Sequence, residues 1–327
     1  MREQLPMKVR LSGLLVFAAS LLPRYTFAAD GPAAIAYTDG YSVKLADTAG
    51  KTIRTIHLPR KPKQLNVSPD MTRAVVVFPA GTYGGPLYLL TFSTGKVERL
   101  TQGRYYFKRL EKGEAEVYDD PEFSPDGKSI AFAVHTETPG DANDGVMASG
   151  PIAVMEVATR KVLILKSTTN VNGGGVAFSN SPHWSADGKW ILVNFEVGAA
   201  ITNSAGTSFK DLTDAMSGDG SSWNNAIDWL GMKCVLYVAG PDGANADSLP
   251  PRWLHMDTLK TESAAQGLNI REEKLAGLIQ IRNGLLLRRV SNRWIVDAPK
   301  GSWQSPVGAF VQLLGRADTK SVPASCK

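Results

Sequence analysis

The chain has 327 residues, is 43% hydrophobic and 20% charged, and carries a formal net charge of +5. That length admits two ordinary domains or one large all-β domain, and the hydrophobic fraction excludes a disordered protein. Two cysteines exclude both a disulfide-framework mini-protein and a multi-cysteine zinc module.

At the N-terminus, Arg2, Lys8 and Arg10 precede a short apolar run, Leu11 to Leu22, and Thr26-Phe27-Ala28 offers a small-residue cleavage site. This pattern predicts a secretory signal peptide over residues 1–28, leaving 29–327 as a single domain with a periplasmic or secreted location. The apolar run is too short to span a bilayer, and no later run approaches spanning length. No cysteine sits at the cleavage site, so no lipid anchor is expected. Removing the leader lowers the formal charge from +5 to +2, which removes the support for a nucleic-acid partner. Arg60-Lys61-Pro62-Lys63 reads as a solvated loop.

One pattern recurs after residue 30. Val67-Ser68-Pro69-Asp70 precedes the apolar run Ala74 to Phe78. Phe123-Ser124-Pro125-Asp126-Gly127 precedes Ile130 to Val134, and Trp184-Ser185-Ala186-Asp187-Gly188 precedes Trp190 to Phe195. A degenerate copy, Trp229-Leu230-Gly231-Met232-Lys233, precedes Cys234 to Val238. Each copy has the chemistry of a β-hairpin turn: Pro presets φ, Asp bonds nearby backbone, and Gly supplies a positive φ. Asn283-Gly284 marks a tighter hairpin of the same kind. Between these copies lie strand–turn–strand units: Leu87 to Leu100, Ile152 to Leu165 and Val43 to Ile53, with weaker versions at Ile201 to Leu212, Trp253 to Thr261 and Trp294 to Trp303. Six units of two hairpins predict an all-β, six-bladed β-propeller of four-stranded antiparallel blades. The first unit lacks an inner strand and Ala309 to Leu314 is a surplus strand, so the two termini are expected to close the ring by pairing. Glu262 to Glu273 is the best candidate for a short helix or loop.

Pro121 to Phe132, Pro182 to Val193 and Leu87 to Thr101 resemble the TolB-type, WD-repeat-like propeller family. The resemblance covers essentially the whole chain after the leader and implies the fold, because one superfold hosts many activities. That family carries an α/β domain ahead of its propeller; only a few residues separate the leader from the first blade here, so an orthologous envelope role is not expected.

No G-x-S-x-G nucleophile elbow occurs. His57, His135, His183 and His255 show no metal-ligand spacing. The acidic loops at Asp141 to Asp144 and Asp242 to Asp247 are the only places suggesting a divalent cation such as calcium. They lack EF-hand spacing and read as turns, so no cofactor is expected. Trp184 and Trp229 occupy core positions; Trp223 lies in a polar loop. Strand direction alternates within a blade, so loops entering inner strands and loops leaving second strands share one face. That face is expected to collect Tyr83, Asp119, Asp120, His135, Asn180, His183, Trp223, Asn224 and Asn225 as a ligand-binding mouth. These features predict a non-catalytic binding or scaffold propeller that recognises a protein or cell-envelope polymer. The alternative is a metal-dependent carbohydrate-active lyase or hydrolase. An oxidising compartment would permit a Cys234–Cys326 disulfide.

Overall fold

The computed structural model describes residues 34–80, 84–101, 115–137, 147–168, 180–195, 198–217, 223–241, 249–264, 278–282, 285–290, 293–298, 301–314 and 324–326. Strands dominate. Blade one holds β1 (Ile35–Asp39), β2 (Ser42–Ala46) and β3 (Thr52–His57); blade two holds β4 (Gln64–Val67), β5 (Arg73–Val77), β6 (Leu87–Thr91) and β7 (Val97–Arg99). Blade three is β8 (Ala115–Phe123), β9 (Ser129–Glu137), β10 (Met147–Glu156) and β11 (Val162–Ile164). Blade four is β12 (Asn180–Trp184), β13 (Trp190–Phe195), β14 (Gly198–Asn203) and β15 (Phe209–Asp211). Blade five is β16 (Trp223–Leu230), β17 (Cys234–Gly240), β18 (Arg252–His255) and β19 (Thr261–Ser263). Blade six is β20 (Leu278–Arg282), β21 (Leu285–Val290), β22 (Arg293–Ala298) and β23 (Gly301–Gln304). The last strand, β24 (Val311–Leu313), returns to blade one, so all six sheets have four antiparallel strands: a six-bladed β-propeller.

The sequence pattern follows from blade stacking. A middle strand packs against a neighbouring blade on each face, so it reads as a continuous apolar run: Ala74 to Val77 and Ala131 to Val134 are wholly buried. Outer strands face solvent, and β7 and β11 have no fully buried residue. The described apolar residues form six clusters, one at each blade junction. Val43 and Leu45 of blade one meet Leu65, Val76 and Phe78 of blade two, for example, and Leu285 and Leu287 of blade six meet Ile35 and Tyr37 of blade one.

The repeated turns are hydrogen-bonded units. Ser124 Oγ donates to Asp126 Oδ1 (2.6 Å), Asp126 Oδ1 accepts the Lys128 N–H, and Ser124 Oγ accepts the Ser129 N–H (2.9 Å) that opens the next strand. Ser68–Asp70 and Ser185–Asp187 repeat this arrangement. Gly127 and Gly188 both sit at φ +70, the left-handed region the turn needs; Met71 occupies that position in blade two at φ +55.

Ring closure pairs Ile35 with Leu313, Ala36 with Gln312 and Tyr37 with Val311. Two expectations need revision. Glu262 lies in strand β19, paired with Trp253, rather than in a helix; residues 265–277 lie outside the described set. Trp223 to Asn225 begin strand β16, paired with Gly240 to Val238, rather than forming a loop. Asn283 and Gly284 lie outside the described residues, although Arg282 pairs with Leu285 across them. Cys234 and Cys326 form a disulfide, Cα to Cα 5.2 Å, at a sequence separation of 92.

Deletion of everything after Pro306 removes buried Val311, Leu313 and Leu314 and unpairs β1. At roughly 1.5–3 kcal/mol per buried aliphatic side chain, the loss is about 5 kcal/mol or more. The truncated chain should melt far below the full chain and self-associate through its open edge; an unchanged melting temperature in a monomeric product would refute closure by β24. Replacing both cysteines by alanine should cost about 2–4 kcal/mol in denaturant unfolding, as expected for opening a long loop. Equal unfolding midpoints for the two proteins would remove the bridge from the native state.

Candidate functional site

The inner strands surround a central cavity of about 1020 Å³. A smaller space of about 80 Å³ is lined by the turn residues Ser68, Pro69, Pro125 and Ala186. Asn66, Glu122, Gln280 and Gln312 line both spaces and mark the constriction between a wide and a narrow end.

That constriction is a ring of equivalent positions. The residue before the core residue of each inner strand points to the axis: Gln312, Asn66, Glu122, His183, Asp228 and Gln280 in blades one to six, all lining the cavity. Four of them accept a backbone N–H from the inner strand of the next blade. Gln312 Oε1 accepts from Val67 (2.8 Å), Asn66 Oδ1 from Phe123 (2.9 Å), Glu122 Oε1 from Trp184 (3.1 Å) and Gln280 Oε1 from Leu313 (2.9 Å). His183 contributes differently: its carbonyl accepts the Trp229 indole N–H (2.8 Å), and its Nδ1 lies 2.8 Å from Glu122 Oε2.

Above this ring, one wall concentrates charge. Asp120 Oδ2 accepts from Ser181 Oγ (2.9 Å), and the Asp120 N–H donates to Gln64 Oε1 (2.8 Å), which ties blades two, three and four together. Asp120 and Ser181 hold equivalent positions and share a left-handed backbone, φ +46 and +47. Each lies in a bulge of its inner strand, between Asp119 and Glu122 in β8 and between Asn180 and His183 in β12. The bulges accommodate Pro121 and Pro182, which cannot donate to a regular ladder. Asp119 pairs with Lys63 Nζ at 3.5 Å, while its Oδ1 is buried without a hydrogen-bond partner. Burial, followed by the charge of Asp120, raises the Asp119 pKa to about 7 against the pull of Lys63. His135, 1% exposed, has its pKa lowered chiefly by burial, and its Nδ1 also lacks a partner.

Of the residues expected at the mouth, Asp119, Asp120, His135, His183 and Asn225 line this one cavity. They stand on strands β8, β9, β12 and β16, not on loops. Asn180, Trp223 and Asn224 belong to β12 and β16, with side chains outside the described set; Tyr83 and the acidic loops at Asp141 to Asp144 and Asp242 to Asp247 also lie outside it. The sequence reading missed Lys63, Gln64, Asn66, Glu122, Asp228, Gln280, Arg289 and Gln312. Trp294 also lines the cavity and donates its indole N–H to Ala309 O. His57 bonds Ser42 and His255 lies beside the disulfide, so two of the four histidines are away from the cavity. Among the described residues, the one trio of metal-ligating groups within 4.8 Å is Cys234, His255 and Cys326, whose sulfurs are joined to each other.

The raised Asp119 pKa has a sign that can be measured. A carboxyl with a folded pKa above its unfolded value favours folding fully below about pH 4, and that contribution is lost as pH rises through about 7. Asp119→Asn should therefore raise the melting temperature by several degrees at about pH 8 and change it little at about pH 5. An offset of equal size at both pH values would mean that Asp119 is ionised across the whole range.

No family model and no curated protein matches the chain. Solved structures do. TolB from Acinetobacter baumannii superimposes with a TM-score of 0.53 at 20% identity over 86% of this chain, which spans 65% of that protein. The tricorn protease superimposes with a TM-score of 0.52 at 13% identity over 87% of this chain, which spans 30% of that protein. At these identities the likeness is one of fold. With six closed four-stranded blades and this neighbour, the chain is a TolB-like six-bladed β-propeller.

Proposed function

We propose that this propeller is a binding module, exported to the periplasm or secreted, that engages a segment of a protein partner through the wide end of its central cavity. The observation that carries the reading is the convergence of Asp119, Asp120, His135, His183 and Asn225 on one cavity of about 1020 Å³. A space of that size, walled by rigid strands and lined by a few polar groups, suits a recognised chain segment or end. The cavity walls are held by inter-blade hydrogen bonds, so the site is pre-formed and little ordering entropy opposes binding. A cell-envelope polymer is the other occupant of matching size. The TolB likeness supports a binding role at the level of architecture. No helix among the described residues is long and apolar enough to cross a membrane.

The test is positional. A photoreactive side chain at Asn225, exposed on the cavity, should crosslink a partner in an envelope extract. The same group at exposed Leu163, on an outer strand, or exposed Met232, on the turn face, should not. Equal adducts at all three positions, or adducts at Met232 alone, would put the binding surface elsewhere.

A further inference from the structure

The cavity wall contributed by blade three carries more acceptors than the protein satisfies. Asp119 Oδ1 and His135 Nδ1 are both buried and unpartnered, and both residues line the cavity. A buried polar atom left unpaired costs about 1–3 kcal/mol, so native structures rarely keep one without a purpose. Among the described residues, the one cation paired with this wall, Lys63, stands 3.5 Å from the other Asp119 oxygen. The Asp120 carboxylate accepts from Gln64 and Ser181, both neutral donors. With Asp119 ionised, the wall is therefore short of one positive charge. Burial keeps His135 neutral near pH 7, so in its Nε2–H tautomer Nδ1 is a further acceptor.

We infer that this wall, formed by Asp119, Asp120 and His135, receives a cationic side chain, arginine or lysine, of the protein segment that enters the cavity. This rests on the binding reading above and names the partner's chemistry. A guanidinium fits best: it presents several donors in a plane, pairs with carboxylates through two bonds, and sheds its hydration more readily than an ammonium. A chelated metal suits the wall less, since no three ligating groups of the cavity lie within 4.8 Å among the described residues. An anionic group would meet Asp119, Asp120 and Glu122 with only Lys63 beside them; Arg289 belongs to blade six.

The charged groups acting on Asp119 are Asp120 on β8 and Lys63 ahead of β4; Glu122 on β8, His135 on β9 and His183 on β12 line the same cavity. Protonation of Asp119 removes one of the charges that hold the cation. Affinity should accordingly rise from about pH 6 to about pH 8, through the raised pKa of Asp119.

The experiment selects short random peptides displayed on phage against the immobilised full chain, with a chelator present. An Asn225→Trp variant, which plugs the mouth, identifies peptides bound in the cavity. Those peptides should be enriched in arginine or lysine. Synthetic copies should lose about tenfold or more in affinity when arginine is replaced by neutral, isosteric citrulline. Asp119→Asn should cost a similar factor at about pH 8 and less at about pH 6. Glu98→Gln, on outer strand β7, should cost nothing. Plug-sensitive peptides indifferent to citrulline or to Asp119→Asn would overturn this inference and leave the cavity as the binding site. Selection yielding no plug-sensitive peptide would overturn both.

Discussion

The propeller depends on one interaction repeated around its axis: in four of the six blades, a polar side chain of the inner strand accepts a backbone N–H of the next inner strand. Inner strands of a ring converge, and their axial edges have no further strand to pair with. An unpaired backbone donor beside a cavity must be met by water or by a side chain. Gln312, Asn66, Glu122 and Gln280 meet it with a carbonyl or carboxylate oxygen. Where the next core residue is tryptophan, the indole adds a second link. Trp184 Nε1 donates to Glu122 O and Trp229 Nε1 to His183 O. Apolar packing at six junctions supplies most of the stabilisation, but packing is non-directional. The axial hydrogen bonds fix how far each blade is rotated against its neighbour, and so fix the cavity's shape.

That constraint also explains where the charged wall sits. Below the ring lies a space of about 80 Å³; above it, where β8, β12, β16 and β20 each carry a bulge, the space is about 1020 Å³. A bulge leaves its extra residue out of the ladder. In blade three that residue region is Asp120-Pro121, and the carboxylate sits in the cavity wall, bonded to Gln64 and Ser181 of the neighbouring inner strands. The left-handed backbone at Asp120 is unusual for a residue with a β-carbon, and Gln64 and Ser181 hold it in place.

The fold was legible because the blade signal repeats in both identity and spacing. Ser-Pro-Asp-Gly with an apolar strand after it is a turn whose every residue has a defined role, and the surplus strand at Ala309 matched the deficit at Ala33. The role of serine was the part least evident, since its hydroxyl acts on a strand N–H five residues on. The axial ring was harder to read for the opposite reason. Its six members, Gln, Asn, Glu, His, Asp and Gln, share a position but no identity, and only His183 stood out. The site residues were expected on loops, but Pro121 and Pro182 lie inside strands here. The bulges carry the strands through those prolines to Ala115 and Asn180. The alternation of strand direction grouped Asp119 and His135 on one face, but it did not show that they stand on the paired strands β8 and β9.

Blade five shows how the chain's end compensates for a defective repeat. Its turn, Leu230-Gly231-Met232-Lys233, has neither the serine nor the aspartate that accept backbone N–H groups in the regular copies. The carbonyl of Cys326 accepts from Met232 N (3.0 Å) and Lys233 N (3.2 Å) instead. The disulfide to Cys234, at the start of β17, holds that carbonyl in position. Cys326 also packs with Ile281 and Leu286 at the junction of blades five and six. The chain end therefore acts twice, once through β24 in blade one and once through Cys326 in blade five. Blade six lies between these two attachments, and its own axial residue, Gln280, bonds β24 directly. Ring closure is thus spread over three blades, which restrains the last blade on both sides where a single terminal strand would restrain only one.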